Sequence, residues 1–343
     1  MTRTVRPVLV FYAALALAAC GGGGGGDPAF QAPPPVALVP LTAANATSTA
    51  SDVLAAIDAG TVLAGLGLNL TFNVIAPLDV TGGSAAARLS RDSQRMLASS
   101  VRRLVSSAAG PGASAIDTLD CLVTGSVVVT SSIVTPGTLA ANDTVVTAYD
   151  NCNDGDGLVL DGTLDLRVAS FAGDLSSGFF VLATDAGLDQ LLLTADGQSL
   201  LLDGDASLDI DTSADTILTV TIEGALLDLE INGATSELSD FLITVDADIS
   251  NLDDLEVSLT GNGTLTSTAL GGKVNFEIIE PLVERESQSF PEDGQIEILG
   301  ANASSVTVTD GSVPIDRVSL GIDSNGDLVV EETIDTTWPE LLP

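Results

Sequence analysis

An all-β fold built as one large antiparallel meander, either a curved cradle or a sandwich, is what this sequence predicts, and three observations carry that expectation. Segment after segment alternates apolar and polar residues with period two. Turn-forming Gly, Asn, Asp and Pro interrupt the alternation about every ten residues, the rhythm of short connections between strands. Hydrophobic residues make up 45% of the 343 while aromatics make up only 3%, so the chain can bury a core and that core must be aliphatic.

The strands can be justified one by one. In LVLDGTLDLRV, Leu158, Leu160, Gly162, Leu164, Leu166 and Val168 share one face, and Asp161, Thr163, Asp165 and Arg167 share the other. In LLLDGDASLDID, Leu200, Leu202, Ala206, Leu208 and Ile210 point in; Asp203, Asp205, Ser207, Asp209 and Asp211 point out. FLITVDADI repeats the pattern with Phe241, Ile243, Val245, Ala247 and Ile249 inward, and LEVSLTGNGTL with Leu255, Val257 and Leu259. One face of such a sheet is wet and acidic. In TILTVTIEGALLDLEI the phase changes between Leu226 and Leu227, which predicts a β-bulge near Gly224. A closed membrane barrel is disfavoured, because barrels carry aromatic girdles and this chain has one Trp and two Tyr.

The N-terminus reads as an address. Residues 1–19 hold Arg3 and Arg6, then an apolar stretch from Val8 to Leu17 that is too short to span a bilayer, the layout of an export signal. Leu17-Ala18-Ala19-Cys20 resembles a bacterial lipobox, which implies acylation of Cys20 and cleavage just before it. Gly21 to Gly26 and Pro33-Pro34-Pro35 make residues 20–50 a lipidated Gly/Pro-rich tether. Gly21 stands where related enterobacterial lipoproteins carry an inner-membrane retention aspartate, so the resemblance implies the outer membrane, on its periplasmic or its surface side.

Residues 51–112 form a helix-containing segment ahead of a β domain over 113–343. Ser51-Asp52 predicts the cap of a short helix over Val53 to Ala59, and Leu66 to Val74 alternates as a first strand. A basic amphipathic helix is expected in SAAARLSRDSQRMLASSVRRLVSSAAGPG, with Arg88, Arg91, Arg95, Arg102 and Arg103 on it, serving either anionic lipid or the protein's own acidic sheet. Without Arg3 and Arg6 the basic residues number 11 − 2 = 9 against 47 acids, a net charge of −38. Nucleic acid is excluded as a partner, since phosphate contacts need clustered Lys and Arg.

The chemistry candidates are few. The chain has no histidine, which removes Ser-His-Asp and Cys-His nucleophiles, HExxH zinc sites and imidazole acid/base work. Cys121 and Cys152 are expected to form a disulfide. Pro136 and Gly137 lie midway between them, so strands folding back symmetrically on TPGT would set the cysteines opposite each other, with a loop-closure stabilisation of about 3 to 4 kcal/mol. Asp150, Asn153, Asp154 and Asp156 are hard oxygen donors of the kind Ca2+ takes, but they lack the register of an EF-hand loop, and a turn is the expectation. Asp323, Asn325 and Asp327 come nearer, with Leu328 where that register has glycine; a hairpin turn is again expected. Ca2+ is the only cofactor with any claim. Carboxylate pairs able to hydrolyse glycosides are inevitable with this many aspartates and single out no residue.

Three patches, DNCNDGDGLVLDGTLDL, PEDGQIEILGANASSVTVT and IDSNGDLVVEETIDTTWPEL, together resemble a group of uncharacterised proteobacterial lipoproteins and secreted β-rich proteins. The resemblance implies export and β structure and no activity. It also implies a turn at Gly300, Ala301 and Asn302, and a core-closing role for Trp338. The sequence thus leads to a lipid-anchored, non-enzymatic binding or structural module. It would hold a lipid or another apolar ligand in a curved sheet, or act as a calcium-stabilised adhesion or envelope-protein-binding sandwich.

Overall fold

The structure is a computed structural model that describes residues 36–71, 115–121, 123–133, 139–153, 158–174, 179–195, 197–213, 216–248, 256–285, 290–310 and 316–342. After helix α1 (Ala46–Thr71) come fourteen strands: β1 (Ala115–Asp120), β2 (Thr124–Ser131), β3 (Thr144–Asn153), β4 (Val159–Asp174), β5 (Phe179–Ala195), β6 (Gln198–Asp211), β7 (Ile217–Ile231), β8 (Ala234–Asp248), β9 (Glu256–Ser267), β10 (Gly272–Arg285), β11 (Asp293–Leu299), β12 (Ser305–Asp310), β13 (Arg317–Asp323) and β14 (Glu332–Thr337); a short helix α2 (Trp338–Leu341) closes the chain. The strands form one sheet in sequence order, every pair antiparallel. It is an open meander, with β1 and β14 at its edges. A two-sheet sandwich is therefore set aside in favour of the single sheet.

The alternation in the sequence decides which face is buried. Leu160, Leu164, Leu166 and Val168 of β4, Leu202, Leu208 and Ile210 of β6 and Ile243, Val245 and Ala247 of β8 are all buried, as the pattern requires. Val257 and Leu259 are half-buried at the margin of the core; Ile249 and Leu255 lie outside the described residues. The bulge expected near Gly224 is present: Asp205 pairs with Leu226 and Ser207 with Glu223, so Gly224 and Ala225 oppose Ala206 alone.

That bulge is one of a series. Register breaks lie at Asp150–Asn151 of β3, Asp189–Gln190 of β5, Asp240–Phe241 of β8 and the Ile279–Pro281 stretch of β10. Together they draw a seam across the sheet. Asn151, Gln190 and Asp240 take positive φ there, at 47°, 50° and 48°. Glycines receive the displaced backbone. At Gly162, φ is +105°, and a Cβ would lie 2.2 Å from the Gln190 carbonyl oxygen; at Gly261 it would lie 2.4 Å from that of Leu242. Only glycine fits where a bulged strand presses its carbonyl against its neighbour.

Over β6–β9, β12 and β13 the buried face is covered by α1, which also packs on α2. Ala46, Ala50, Val53, Leu54, Ala56, Ile57, Ala59, Val62, Leu63 and Ala64 are all buried, while Ser48, Ser51, Asp52, Asp58 and Thr61, at helical spacing, make a more exposed polar stripe. Close approach is secured at Gly60, where a Cβ would fall 2.3 Å from Ile243 Cδ1. Trp338 and Leu341 of α2 are buried beside it, matching the plug expected of Trp338.

Three local expectations are corrected. Leu66–Thr71 is the end of α1 and not the start of a strand; Leu63, Leu66 and Leu70 fit i, i+3, i+7 as well as Leu66, Leu68 and Leu70 fit period two, and the helix already under way decides. The helix also starts earlier than Val53. Its first turn is organised at Asn45, which accepts from Thr49 N–H, while Asp52 accepts from Ser267 Oγ at 3.0 Å instead of capping. Part of the stretch assigned to the tether belongs to the domain: Leu38 bridges Lys273, and Leu41 N–H donates to Ser304 Oγ at 2.9 Å. The rest of the tether, with Cys20, lies outside the described residues, as does the stretch with Arg88, Arg91, Arg95, Arg102 and Arg103 where a helix was expected. Ala301–Ala303 makes one 3-10 turn with Asn302 at φ 58°, the turn the resemblance implied.

Cys121 and Cys152 are joined, their Cα atoms 5.5 Å apart. The hairpin around them is not symmetric about Pro136-Gly137, which lie outside the described residues. Val128 pairs with Ala148, where a symmetric fold would give Val145. Cys121 sits in the β1–β2 connection, its N–H donating to the Gly125 carbonyl, and the bridge ties that connection to β3 across the end of β2.

The glycine seam yields a comparison. Gly162→Ala is expected to cost about 3 kcal/mol, from positive φ plus a backbone clash. Gly197→Ala, at φ +82° with open space around it, should cost only about 1 kcal/mol, from φ alone. Urea unfolding of the two variants checks this; equal losses would mean that the seam is not tightly packed.

Candidate functional site

The residues that concentrate chemistry lie in two places, the β13–β14 loop and the polar face of the sheet. The loop DSNGDLVVEE is built around Asp323, which is 3% exposed. Its Oδ1 accepts from the N–H of Gly326 at 2.7 Å and of Asn325 at 3.3 Å, and its Oδ2 accepts from Leu328 N–H at 2.7 Å. Burial pushes the Asp323 carboxyl up, but these backbone donors outweigh it and hold the group below its ordinary range. Asn325 Oδ1 accepts from Asp327 N–H, and Asp327 Oδ1 from Val329 N–H. Leu328 adopts φ 68°, so the backbone takes the left-handed turn that glycine would have eased.

This fold-back brings in Glu331, which the sequence reading did not single out. Oxygens of Asp323, Asp327 and Glu331 come within 4.8 Å of one another. Three carboxylates at that separation form a hard, all-oxygen set of the kind Ca2+ takes. Asn325 is not turned as a fourth donor: its Nδ2 donates to Glu331 Oε1 and its Oδ1 is engaged with the backbone. Glu331 also accepts from Ser324 N–H at 2.7 Å, so the loop is closed by its own hydrogen bonds. The sequence clue was the four-residue spacing Asp323, Asp327, Glu331.

The other acidic candidates separate. Asp150, within the bulge, and Asn153, beyond it, are both strand residues of β3, so the expected turn does not include them. Asn151 Nδ2 donates to Asp150 Oδ1 at 3.3 Å. Asp154 and Asp156 lie outside the described residues, between Asn153 and the start of β4.

On the polar face, strand register stacks carboxylates in rows. Asp203 pairs with Asp228, and Asp228 with Glu237, three acids on three adjacent strands. Gln190 Nε2 donates to Asp203 Oδ2. One row over, Gly187 separates Asp165 from Asp205, and beside them Arg167 faces Asp185. The missing side chain at Gly187 opens a groove of about 520 Å³, lined by Asp165, Arg167, Asp185, Asp205, Glu223 and Leu226. Arg167 turns one N–H to Asn142 Oδ1. The groove adjoins the bulge of β7, which is what lifts Leu226 onto the polar face. Sequence alternation foretold the carboxylates; the groove depends on register, which it did not.

No protein-family model, curated protein or solved structure matches this chain.

The buried carboxylate gives a pH expectation. A folded-state pKa below the ordinary 3.8 means that Asp323 adds stability above that pH and loses it as the pH falls through the lower folded value. Asp323→Asn, which replaces an accepting oxygen with an amide donor, is expected to be less stable than the parent at pH 7, with the gap closing as the pH falls below 3.8. Urea midpoints measured across that range test it; a gap independent of pH would show that the charge on Asp323 is not what holds the loop.

Proposed function

We propose that this chain is a lipid-anchored module of the outer membrane that works by binding, not by catalysis, and that its recognition surface is the acidic face of the sheet. The observation that carries the proposal is the division of labour between the two faces. One face is apolar and buried, with α1 packed on it over β6–β9, β12 and β13 and Trp338 beside the helix. The other offers rows of carboxylates on strands whose backbone is fully committed to pairing.

Support for the anchor is the lipobox-like LAAC at Cys20 with its Gly/Pro-rich continuation. The compact unit begins at Val36, leaving a short stretch from Cys20 onward for a tether of several tens of ångström at most. An apolar ligand in the curved sheet remains the second reading, and α1 bears on it directly. Its aliphatic residues cover that face over β6–β9, β12 and β13, so a lipid seated there would have to displace the helix. A partner carrying clustered cations fits the outward face without rearrangement, and its binding would weaken with salt.

Two measurements test the proposal. The parent chain should fractionate with the outer membrane and Cys20→Ser should be released; a parent chain found free of membrane would overturn the anchor. Decalysine should bind the extracted protein at low salt, and Asp203→Asn/Asp228→Asn/Glu237→Gln should bind it about tenfold more weakly, if each charge contributes a few tenths of a kcal/mol. Equal affinity for both would rule out the acidic face as the recognition surface.

A further inference from the structure

Exposed apolar side chains stand singly over most of the described surface, as they do on ordinary soluble proteins, with one exception. Among the described residues only Leu328, Val329 and Val330 of the β13–β14 loop expose three large apolar side chains in succession, at 89%, 61% and 52%. The loop keeps them from collapsing. Asp323 accepts from the backbone of Asn325, Gly326 and Leu328, and Glu331 accepts from Ser324 and Asn325, so the tip sits on a turn closed by its own hydrogen bonds. We propose that Leu328, Val329 and Val330 insert into the surface of a zwitterionic bilayer, a second membrane contact beside the lipid on Cys20. The proposal rests on the reading of the chain as lipid-anchored and names the end of the module that meets the membrane.

The place where the chain enters the domain selects lipid as the occupant. The compact unit begins at Val36, itself 49% exposed. Lys273 N–H, at the start of β10, donates to the Ala37 carbonyl, and Val39 N–H donates to that of Lys273. The Val39 carbonyl in turn accepts from Ala301 N–H at 2.8 Å, in the β11–β12 turn. Against that turn lies the β13–β14 loop, for a Cβ at Gly326 would stand 2.5 Å from the Asn302 carbonyl oxygen. Only one turn therefore separates the entering chain from the loop that carries the apolar tip. The start of β10, the end of β11, the start of β12 and the end of β13 share one end of the sheet, because each pair of neighbours is antiparallel.

Reach and charge agree with this placement. Between Cys20 and Val36 lie 35 − 20 = 15 residues, a length of chain that cannot extend beyond about 55 Å. A covalent link this short gives the tip an effective concentration at the bilayer in the millimolar range, at which even a weak contact is populated. The opposite end of the sheet lies a further strand length away, about 45 Å for the 14 residues of β10. Asp327, Glu331 and Glu332 flank the tip and are exposed. Anionic headgroups would repel them, so zwitterionic lipid is the surface this loop fits. The anchor holds the module at the membrane, and the tip decides which end faces it.

Fluorescence of the full mature chain, reconstituted in phosphatidylcholine vesicles, tests the proposal. Val329→Cys labels the tip, and Asp316→Cys, just before β13 at the opposite end, serves as the reference. Each introduced thiol is free to take the label, since Cys121 and Cys152 are joined and Cys20 carries the lipid. Nitroxide-bearing lipid should quench the tip label several-fold more than the reference. Leu328→Ser/Val330→Ser should cut the quenched fraction of the tip label about tenfold while sedimentation with vesicles, carried by the anchor, stays the same. Adding phosphatidylglycerol should lower tip quenching; a rise would overturn the zwitterionic surface. Equal quenching of the two labels overturns the tip contact and leaves the anchor standing, whereas a chain that does not sediment with vesicles overturns the anchor and this contact with it. Tip emission that shifts with protein density at fixed lipid, without nitroxide quenching, assigns the tip to a second copy of the chain and overturns the lipid contact.

Discussion

The line of β-bulges is the constraint on which the rest of this structure depends. A strand of period two keeps one face apolar only while its register is unbroken. Here Tyr149 and Cys152, Leu188 and Leu191, Leu238 and Phe241 are all buried although each pair is separated by an odd number of positions. An extra residue inserted between them restores the face, and because the insertions lie side by side from β3 to β10 the sheet bends along a line instead of fraying strand by strand. Glycines such as Gly162 and Gly261 are the other half of the device, since they accept the carbonyl that each insertion pushes across.

The bent sheet needs a filler, and α1 is it. Small residues, Ala46, Ala50, Ala56, Ala59 and Ala64, alternate along it with Val53, Leu54, Ile57, Val62 and Leu63, so the helix lies close to the sheet while still inserting branched side chains. Few aromatics are needed when a helix supplies the second layer; of the buried ones, Trp338 stands at the end where α2 meets α1. A polar tie from the helix to the sheet, Ser267 Oγ to Asp52, leaves the carboxyl partly desolvated, and burial raises its pKa despite that hydrogen bond.

The fold class was readable because alternation is a local signal: Leu200 to Ile210 and Phe241 to Ala247 carry it without help from the rest of the chain. Of the bulges only that at Gly224 was read, where two leucines stand together; Leu188-Asp189-Gln190-Leu191 carries the same signal in weaker form, an odd spacing masked by turn-like polar residues. α1 was foreshortened because Leu66, Leu68 and Leu70 satisfy two periods at once. The pairing of the cysteines was legible while their register was not, since hairpin symmetry assumes a connection centred on Pro136-Gly137 and no bulge at Asn151. Glu331 escaped because its partnership with Asp323 is made by a loop that reverses direction, with Leu328 supplying a left-handed turn that propensity would have denied it.

Magnitudes explain how the sheet tolerates so acidic a face. A directly opposed like-charge pair costs about 0.2 to 1 kcal/mol, so the row Asp203, Asp228, Glu237, with two such contacts, costs at most about 2 kcal/mol. Behind it Leu202, Leu227, Leu229 and Leu238 are buried, each contributing about 1.5 to 3 kcal/mol. One leucine on the inner face therefore offsets the repulsion of the row on the outer one. The fold is thus nearly indifferent to the sign of the charges it displays, provided the alternation behind them is kept. An almost uniform sign across β4–β8, broken by Arg167 opposite Asp185, is not something the core demanded; it belongs to the one face whose side chains packing leaves free to vary.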